Sequence, residues 1–375
     1  MRIAIDARSL SWENGKYTGV STYLYEACVA LSLYHPEHEY FVLAPRPFQT
    51  VHTFPDNWHF MTEGQISTRG KIWALLELPK IIKKENFDIY WGPNFTLPAI
   101  RRKRVKTAFF VTIYDLALWH FPKVGEKKNF FRVRMGTGKA VKKARTVLTI
   151  SEYTKKDIVQ ILGVPEEKIH VAYPGGVGDQ RSLVKQPLPD YVSNAPFFLF
   201  VSTIEPRKNI LTIIQGFEKF KACGGDGKLV LAGKRGWNCE DIYEAVKHSL
   251  YQKDIIMPGY ISAQEKQALY QHARGVLYPS LFEGFGIPVL EAFSYGVPVV
   301  TARNSSLPEV GGEAAFYIED ATDAQALAEK METVCNLTAE AKSNLQEKMT
   351  MQVEKFTWKR TADALMAAWQ EAQND

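Results

Sequence analysis

Cysteine is scarce in this chain. Four residues in 375, Cys28, Cys223, Cys239 and Cys335, lie scattered with no CxxC pair and no Cys/His cluster. That argues against a disulfide framework or a zinc ribbon and fits reduced thiols in a cytoplasmic protein. Long apolar runs are missing too. None approaches the ~18–20 residues of a membrane span, and the opening Met1-Arg2-Ile3-Ala4-Ile5-Asp6 is too short to act as a signal peptide. Without a secretion signal the sequons at Asn94, Asn304 and Asn336 carry little weight. There is no GxGxxG, which argues against a dinucleotide fingerprint, and no Asp-x-Asp triplet. A phosphate-binding site built without paired acids relies on Lys, Arg and helix amides instead of a divalent ion.

What is present is globular. Hydrophobic residues make up 46% and charged residues 23% of a chain long enough for two ordinary domains. The charge is unevenly divided. Residues 1–180 hold 26 basic and 17 acidic residues, net +9, whereas residues 181–375 hold 20 and 24, net −4.

The first half alternates between two periods. Apolar runs at Ile3–Asp6, Tyr40–Leu43, Phe87–Trp91, Val105–Ile113 and Val147–Ile150 predict strands. Helical spacing predicts helices from Gly19-Val20, over Lys71–Lys84 and Glu126–Lys143, and over Glu152–Leu162 with Ser151 as N-cap. Such alternation makes a parallel sheet covered on both faces. The first strand feeds a loop containing Gly15 and Gly19, the usual start of a doubly wound domain. Gly19 either lets the backbone approach a ligand or serves a simple turn. Asp115 follows a strand's carboxyl end, where such sheets bind ligands, and a turn-capping role is equally open. The clusters Arg101–Arg104, Lys127-Lys128, Arg132/Arg134 and Lys142-Lys143 carry the excess charge, with Phe130-Phe131 among them. They suit an anionic membrane edge, a phosphate-bearing acceptor, nucleic acid or plain solvent.

Glycine and proline at Pro174-Gly175-Gly176-Val177-Gly178 and Gln186-Pro187-Leu188-Pro189 mark a linker. The expected division is a first domain over 1–178, a linker over 179–195, a second domain over 196–355 and a terminal helix over 356–375 that returns to the first. After the linker, strands are expected at Phe197–Val201, Lys228–Ala232, Ile255–Met257 and Gly275–Tyr278, and helices at Asn209–Phe220, Glu240–Leu250 and Ala263–His272. Arg207 and Lys208 stand where the first of these strands enters a helix, placed either to neutralise a diphosphate or as surface charge. Glu283 and Glu291 bracket a two-glycine loop and a helix start at Pro288, a place where backbone amides receive anions.

The stretch Glu283-Gly284-Phe285-Gly286-Ile287-Pro288-Val289-Leu290-Glu291 resembles the Glu-x7-Glu motif of retaining GT-B glycosyltransferases, especially glycosyltransferase family 4. Tyr295–Val300, Ser305–Val310, Thr203–Asn209, Ala232–Trp237, Ser151–Tyr153 and Gly19-Val20 fit the same family, so the resemblance spans nearly the whole chain. It implies an α/β GT-B fold, two Rossmann-like domains facing across a cleft. The implied reaction is transfer of a hexose, mannose from GDP-mannose foremost, from a nucleotide-diphosphate sugar to a saccharide or lipid-linked acceptor in surface polysaccharide biosynthesis. In that reading Glu291 holds the ribose, Glu283 lies by the donor sugar, and Arg207 and Lys208 stabilise the leaving diphosphate, with Asp115 the fourth catalytic candidate. Gly19, Tyr260, Ile261, Gly284, Phe285 and Gly286 line the donor. Where many members carry His-Asp, this chain has Tyr114-Asp115, and the family's basic residue five or six positions before Lys208 is replaced by Ser202 and Thr203. No metal or other cofactor is implied, no nucleic-acid partner, and the location is cytoplasmic, with peripheral contact at the inner face of the plasma membrane. Activity is therefore expected to survive a chelator such as EDTA unchanged; its loss on chelation and return with a divalent ion would contradict this. The alternatives are a sugar-nucleotide epimerase or hydrolase of the same plan and a non-enzymatic nucleotide-sugar or membrane-surface binder. An incubation of donor without acceptor separates these enzymes, since rapid release of free sugar or epimer belongs only to the alternatives.

Overall fold

A computed structural model describes residues 1–10, 19–48, 50–62, 70–100, 105–121, 127–177, 185–192 and 195–374, with the backbone alone for 70–71, 127–132 and 374. Gly15, Gly178 and Arg101–Arg104 lie outside these residues, as do the side chains of Lys127, Lys128, Phe130, Phe131 and Arg132. The chain divides into two compact units, Met1–Pro174 with Thr357–Asp375, and Gly175–Phe356.

The first unit is a seven-stranded parallel sheet in the order β3-β2-β1-β4-β5-β6-β7. Its strands are β1 (Arg2–Asp6), β2 (Glu39–Ala44), β3 (Trp58–Thr62), β4 (Ile89–Gly92), β5 (Ala108–Ile113), β6 (Thr146–Thr149) and β7 (Ile169–Val171). Helices α1 (Gly19–Tyr34), α2 (Gly70–Leu76), α3 (Leu78–Glu85), α4 (Ala117–His120), α5 (Lys127–Lys143) and α6 (Glu152–Leu162) connect them. The inner strands are buried along their length, which is why they read as unbroken apolar runs. β3 and β7 were not expected. They are short edge strands that expose part of their length, so their patterns are weak. The single helix expected over Lys71–Lys84 is broken at Glu77, because Pro79 lacks the N–H and its ring collides with the preceding turn. Ser151 caps α6 as expected, its Oγ accepting the Thr154 N–H at 3.0 Å.

The second unit repeats the plan with six parallel strands in the order β10-β9-β8-β11-β12-β13. These are β8 (Phe197–Val201), β9 (Lys228–Ala232), β10 (Ile255–Gly259), β11 (Gly275–Tyr278), β12 (Val299–Ala302) and β13 (Ala315–Ile318). The helices are α7 (Ile210–Ala222), α8 (Glu240–His248), α9 (Ala263–His272), α10 (Ile287–Ser294), α11 (Leu307–Gly311), α12 (Ala324–Cys335) and α13 (Ala339–Lys355). Strand order reverses between β8 and β11, and the loops leaving these two strands flank the crevice where doubly wound sheets hold ligands.

The last helix, α14 (Trp358–Asn374), packs on α1 and completes the core of the first unit. Trp369 is fully buried, 5.7 Å from the Trp91 ring and 6.5 Å from Phe110. The terminal helix thus belongs with the first sheet although it follows the second in sequence.

Candidate active site

The loop leaving β8 is extended at Glu205 and then makes one tight turn over Pro206–Lys208. Asn209 ends that turn in the left-handed region, φ 58°, and its side-chain amide donates to the carbonyls of Pro279 and Ala321. The Leu281 N–H reaches the Arg207 carbonyl at 2.9 Å. These bonds tie the exit of β8 to the exit of β11 and fix where the cations point.

Lys208 and Glu283 each expose only 6% of their surface. Lys208 Nζ donates to Glu283 Oε1 at 2.6 Å and to the Tyr278 hydroxyl at 2.9 Å. Arg207 reaches Glu283 Oε2 at 3.2 Å, the Phe282 carbonyl at 2.8 Å and Glu205 Oε1 at 3.0 Å. Burial by itself would push the Glu283 carboxyl up. Lys208 and Arg207 outweigh it and hold the group at about 2, so it is an anion throughout the physiological range. Burial and the neighbouring Arg207 lower the Lys208 ammonium, against the pull of Glu283. Charge-assisted bonds of this length, shielded from water, fix both side chains in one geometry.

The Glu283 backbone is held as firmly as its side chain. Its N–H donates to Ser305 Oγ at 3.0 Å, and the Ser306 hydroxyl is within bonding distance of the Glu283 and Phe285 carbonyls. Gly286 precedes α10 with φ 117°, a conformation that side chains rarely adopt. Phe285 is buried against Phe356, ring centroids 5.2 Å apart. Ile287 occupies the first helical position and Pro288 the second, one residue later than expected and still where a missing N–H costs nothing.

Glu291, one turn into α10, receives Lys266 Nζ at 2.6 Å on one oxygen and the Tyr270 hydroxyl at 2.9 Å on the other. Both partners come from α9, four residues apart and so on one helical face. Tyr270 stacks on Tyr295 at 5.7 Å, which holds its hydroxyl in place. Tyr260 is half exposed and Ile261 buried at the exit of β10, where the Gly259 carbonyl accepts the Gly233 N–H at 2.8 Å.

The remaining candidates belong to the first unit. Gly19 opens α1. Asp115 follows β5, and its carboxylate accepts the Ala117 N–H at 3.0 Å, the turn-capping contact. Beyond it His120 pairs with Asp157 at 2.7 Å. Tyr114 is 5% exposed and packs edge-on to Tyr23 at 5.5 Å, with Phe95 at 5.7 Å. Its hydroxyl is buried and has no hydrogen-bond partner among the described residues, and the ring packing makes this side chain core within the first unit. Among the basic clusters, Lys143 lies over the Phe109 ring at 4.1 Å and donates to the Pro98 carbonyl, while Arg134 sits over Trp119.

The second unit thus gathers Arg207, Lys208 and Glu283 into one contact network and places Glu291 in another. Glu205, Lys266, Tyr270 and Tyr278 complete them and were not singled out from the sequence as site residues. The i, i+4 spacing of Lys266 and Tyr270 was a visible signal, but it had no partner until α9 and α10 were set side by side.

Residues 17–175 match the profile of Glycosyltransferase Family 4, and residues 189–355 that of Glycosyl transferases group 1. The chain belongs to glycosyltransferase family 4. Among curated relatives, this family 4 chain is 29% identical to O-antigen chain mannosyltransferase B of Escherichia coli over 277 residues, 69% of its own length and 66% of the relative's. It is 27% identical to O-antigen chain mannosyltransferase RfbU of Salmonella typhimurium, covering 65% and 64% of the two chains. The chain therefore spans just under two thirds of the length of these relatives. Among solved structures, sucrose-phosphate synthase from Thermosynechococcus elongatus superposes with a TM-score of 0.77 over 100% of this chain and 99% of that one, at 16% identity. Anabaena HepE in complex with UDP and glucose gives 0.75 over 99% of each, at 17% identity. At such identities the likeness is one of fold, and the fold is GT-B.

Proposed function

We propose that this protein is a retaining hexosyltransferase that moves mannose from GDP-mannose to a saccharide or lipid-linked acceptor during polysaccharide assembly. The observation that carries the reading is the buried Arg207–Lys208–Glu283 network at the strand-order reversal of the second unit. Cleaving a nucleotide-diphosphate sugar releases a diphosphate, and catalysis needs cations aimed where its negative charge grows. Arg207 and Lys208 meet that need, with Glu283 locking their direction and presenting a fixed carboxylate to the sugar. Glu291 supplies two acceptor oxygens for the ribose diol, and Lys266 and Tyr270 orient them. The amides of Gly284, Phe285 and Gly286 face the sugar and diphosphate. Gly19 and Asp115 serve the reaction from the first unit. With retention, the nucleophile's proton passes to the departing phosphate oxygen, so no side chain is assigned as base. The mannosyltransferase names of the relatives support the choice of sugar, and the O-antigen names the choice of product class.

No helix among the described residues is long and apolar enough to cross a membrane. The positive excess of the first half supports a peripheral position on an anionic cytoplasmic membrane face, where lipid-linked acceptors are presented.

A panel of nucleotide sugars tests the reading. GDP-mannose is expected to raise the melting temperature and to be consumed quickly only when an acceptor is added, giving an α-linked product by NMR. Preference for a UDP-sugar would overturn the donor assignment, and rapid consumption without acceptor would overturn transfer as the main activity.

A further inference from the structure

We propose that Lys234 supplies the unbalanced positive charge that receives the donor's diphosphate. The inference rests on the nucleotide-sugar reading above and adds a residue to it. Its starting point is the charge balance of the site. Arg207 and Lys208 are the obvious phosphate cations, yet Glu205 and Glu283 already neutralise them. Lys266 is matched by Glu291. These six groups sum to zero, and a diphosphate entering them brings about two further negative charges. A further cation beside Arg207 and Lys208 restores the balance.

The backbone brings one there. Gly233, at the exit of β9, adopts φ 155°, and a Cβ on it would lie 1.7 Å from the Ser202 carbonyl. The β9 loop is therefore pressed directly against the β8 loop. The Ile204 N–H donates to the Lys234 carbonyl and the Gly236 N–H to the Ile204 carbonyl, both at 2.9 Å. Ile204 and Arg235 form a parallel bridge. Successive side chains in such a pairing point to opposite faces. Arg235 turns to α8, lying over Tyr243 at 5.0 Å and pairing with Glu240 at 3.0 Å. A Cβ on Gly236 would meet Thr203 Cγ2 at 2.9 Å and Glu205 Cβ at 3.1 Å. Lys234, two residues before Gly236, shares that face with Glu205, the carboxylate that grips Arg207. Trp237 Nε1 donates to the other Glu205 oxygen at 3.0 Å, closing the loop onto the same group. Lys234 is exposed, and its ammonium has no ion pair among the described residues. It is a mobile point charge, suited to a ligand that arrives and leaves.

Calorimetric titration of GDP, GMP and guanosine into the full chain tests the assignment. Lys234→Ala is expected to weaken GDP about tenfold and GMP by a smaller factor, and to leave guanosine unchanged. Lys234→Glu should weaken GDP further, and Lys234→Arg should restore it. Salt dependence of GDP binding should be shallower in Lys234→Ala than in the parent. Arg235→Ala, one residue along on the opposite face, should bind as the parent does. Equal GDP affinity in the parent and Lys234→Ala overturns the role of Lys234. Failure of the parent itself to bind any nucleoside diphosphate overturns the donor reading instead.

Discussion

Lys208→Met is expected to lower turnover by about 10²–10³-fold, the usual loss when one group stabilising developing charge is removed. Methionine keeps most of the buried stem and deletes the ammonium that bonds Glu283 at 2.6 Å and Tyr278 at 2.9 Å. Two effects are mixed in this variant. Breaking a buried pair leaves Glu283 with Arg207 alone and costs stability on the order of 3–5 kcal/mol. The double variant Lys208→Met/Glu283→Gln isolates the stability effect, because it removes both charges: melting temperature should recover substantially, while kcat stays low because Glu283 belongs to the site as well. Recovery of kcat with stability would show that Lys208 only supports the fold. The same pair predicts an acid limit. Since the Glu283 carboxyl sits below its ordinary value of 4.5 in the fold, its contribution is complete above that pH and is lost as pH falls towards 2. Glu283→Gln should flatten that part of the stability profile.

Glu291→Ala is expected to weaken nucleotide binding by about 10²-fold, the order seen when a buried charged hydrogen-bonding partner is deleted. The carboxylate has two oxygens to share between a ribose diol and its present partners, Lys266 and Tyr270. A cycle with 2′-deoxynucleotide isolates the ribose contact. The parent should lose affinity when the 2′-hydroxyl is removed, whereas Glu291→Ala should bind both nucleotides alike. An unchanged affinity for the ordinary nucleotide, measured by calorimetry, would remove Glu291 from the ribose site.

How much of this could be read from the chain alone depended on whether a signal was local. Phe197–Val201, Lys228–Ala232 and Gly275–Tyr278 were placed to the residue, because a strand buried on both faces is apolar without interruption. β12 begins inside a stretch noticed for other reasons, Tyr295–Val300, and β13 lies in none; their four-residue runs gave no separate strand signal. Arg207, Lys208, Glu283 and Glu291 stood out by residue type and spacing. Their internal bonding did not, since Glu283 meets Lys208 across 75 residues of chain. Glu205 drew no separate notice in the sequence, and its contacts with Trp237 and Arg207 give it a place. Tyr114 was conspicuous as a departure from the family pattern, but only packing against Tyr23 and Phe95 identifies it as core within its own unit.

The path of α14 bears on how the molecule is made. The first sheet is synthesised before the second, yet Trp369, which fills the space beside Trp91 and Phe110, comes only after the whole of Gly175–Phe356. A nascent chain carrying only the first sheet leaves uncovered the groove that α14 fills beside α1, Trp91 and Phe110. That groove must stay open, or be shielded by a chaperone, for the time needed to translate some 180 further residues. The second unit, whose residues are contiguous, has no such wait and is the natural part to fold first. Damage confined to α14 would then appear as aggregation of the first unit, whose sheet lies some 180 residues earlier in the chain.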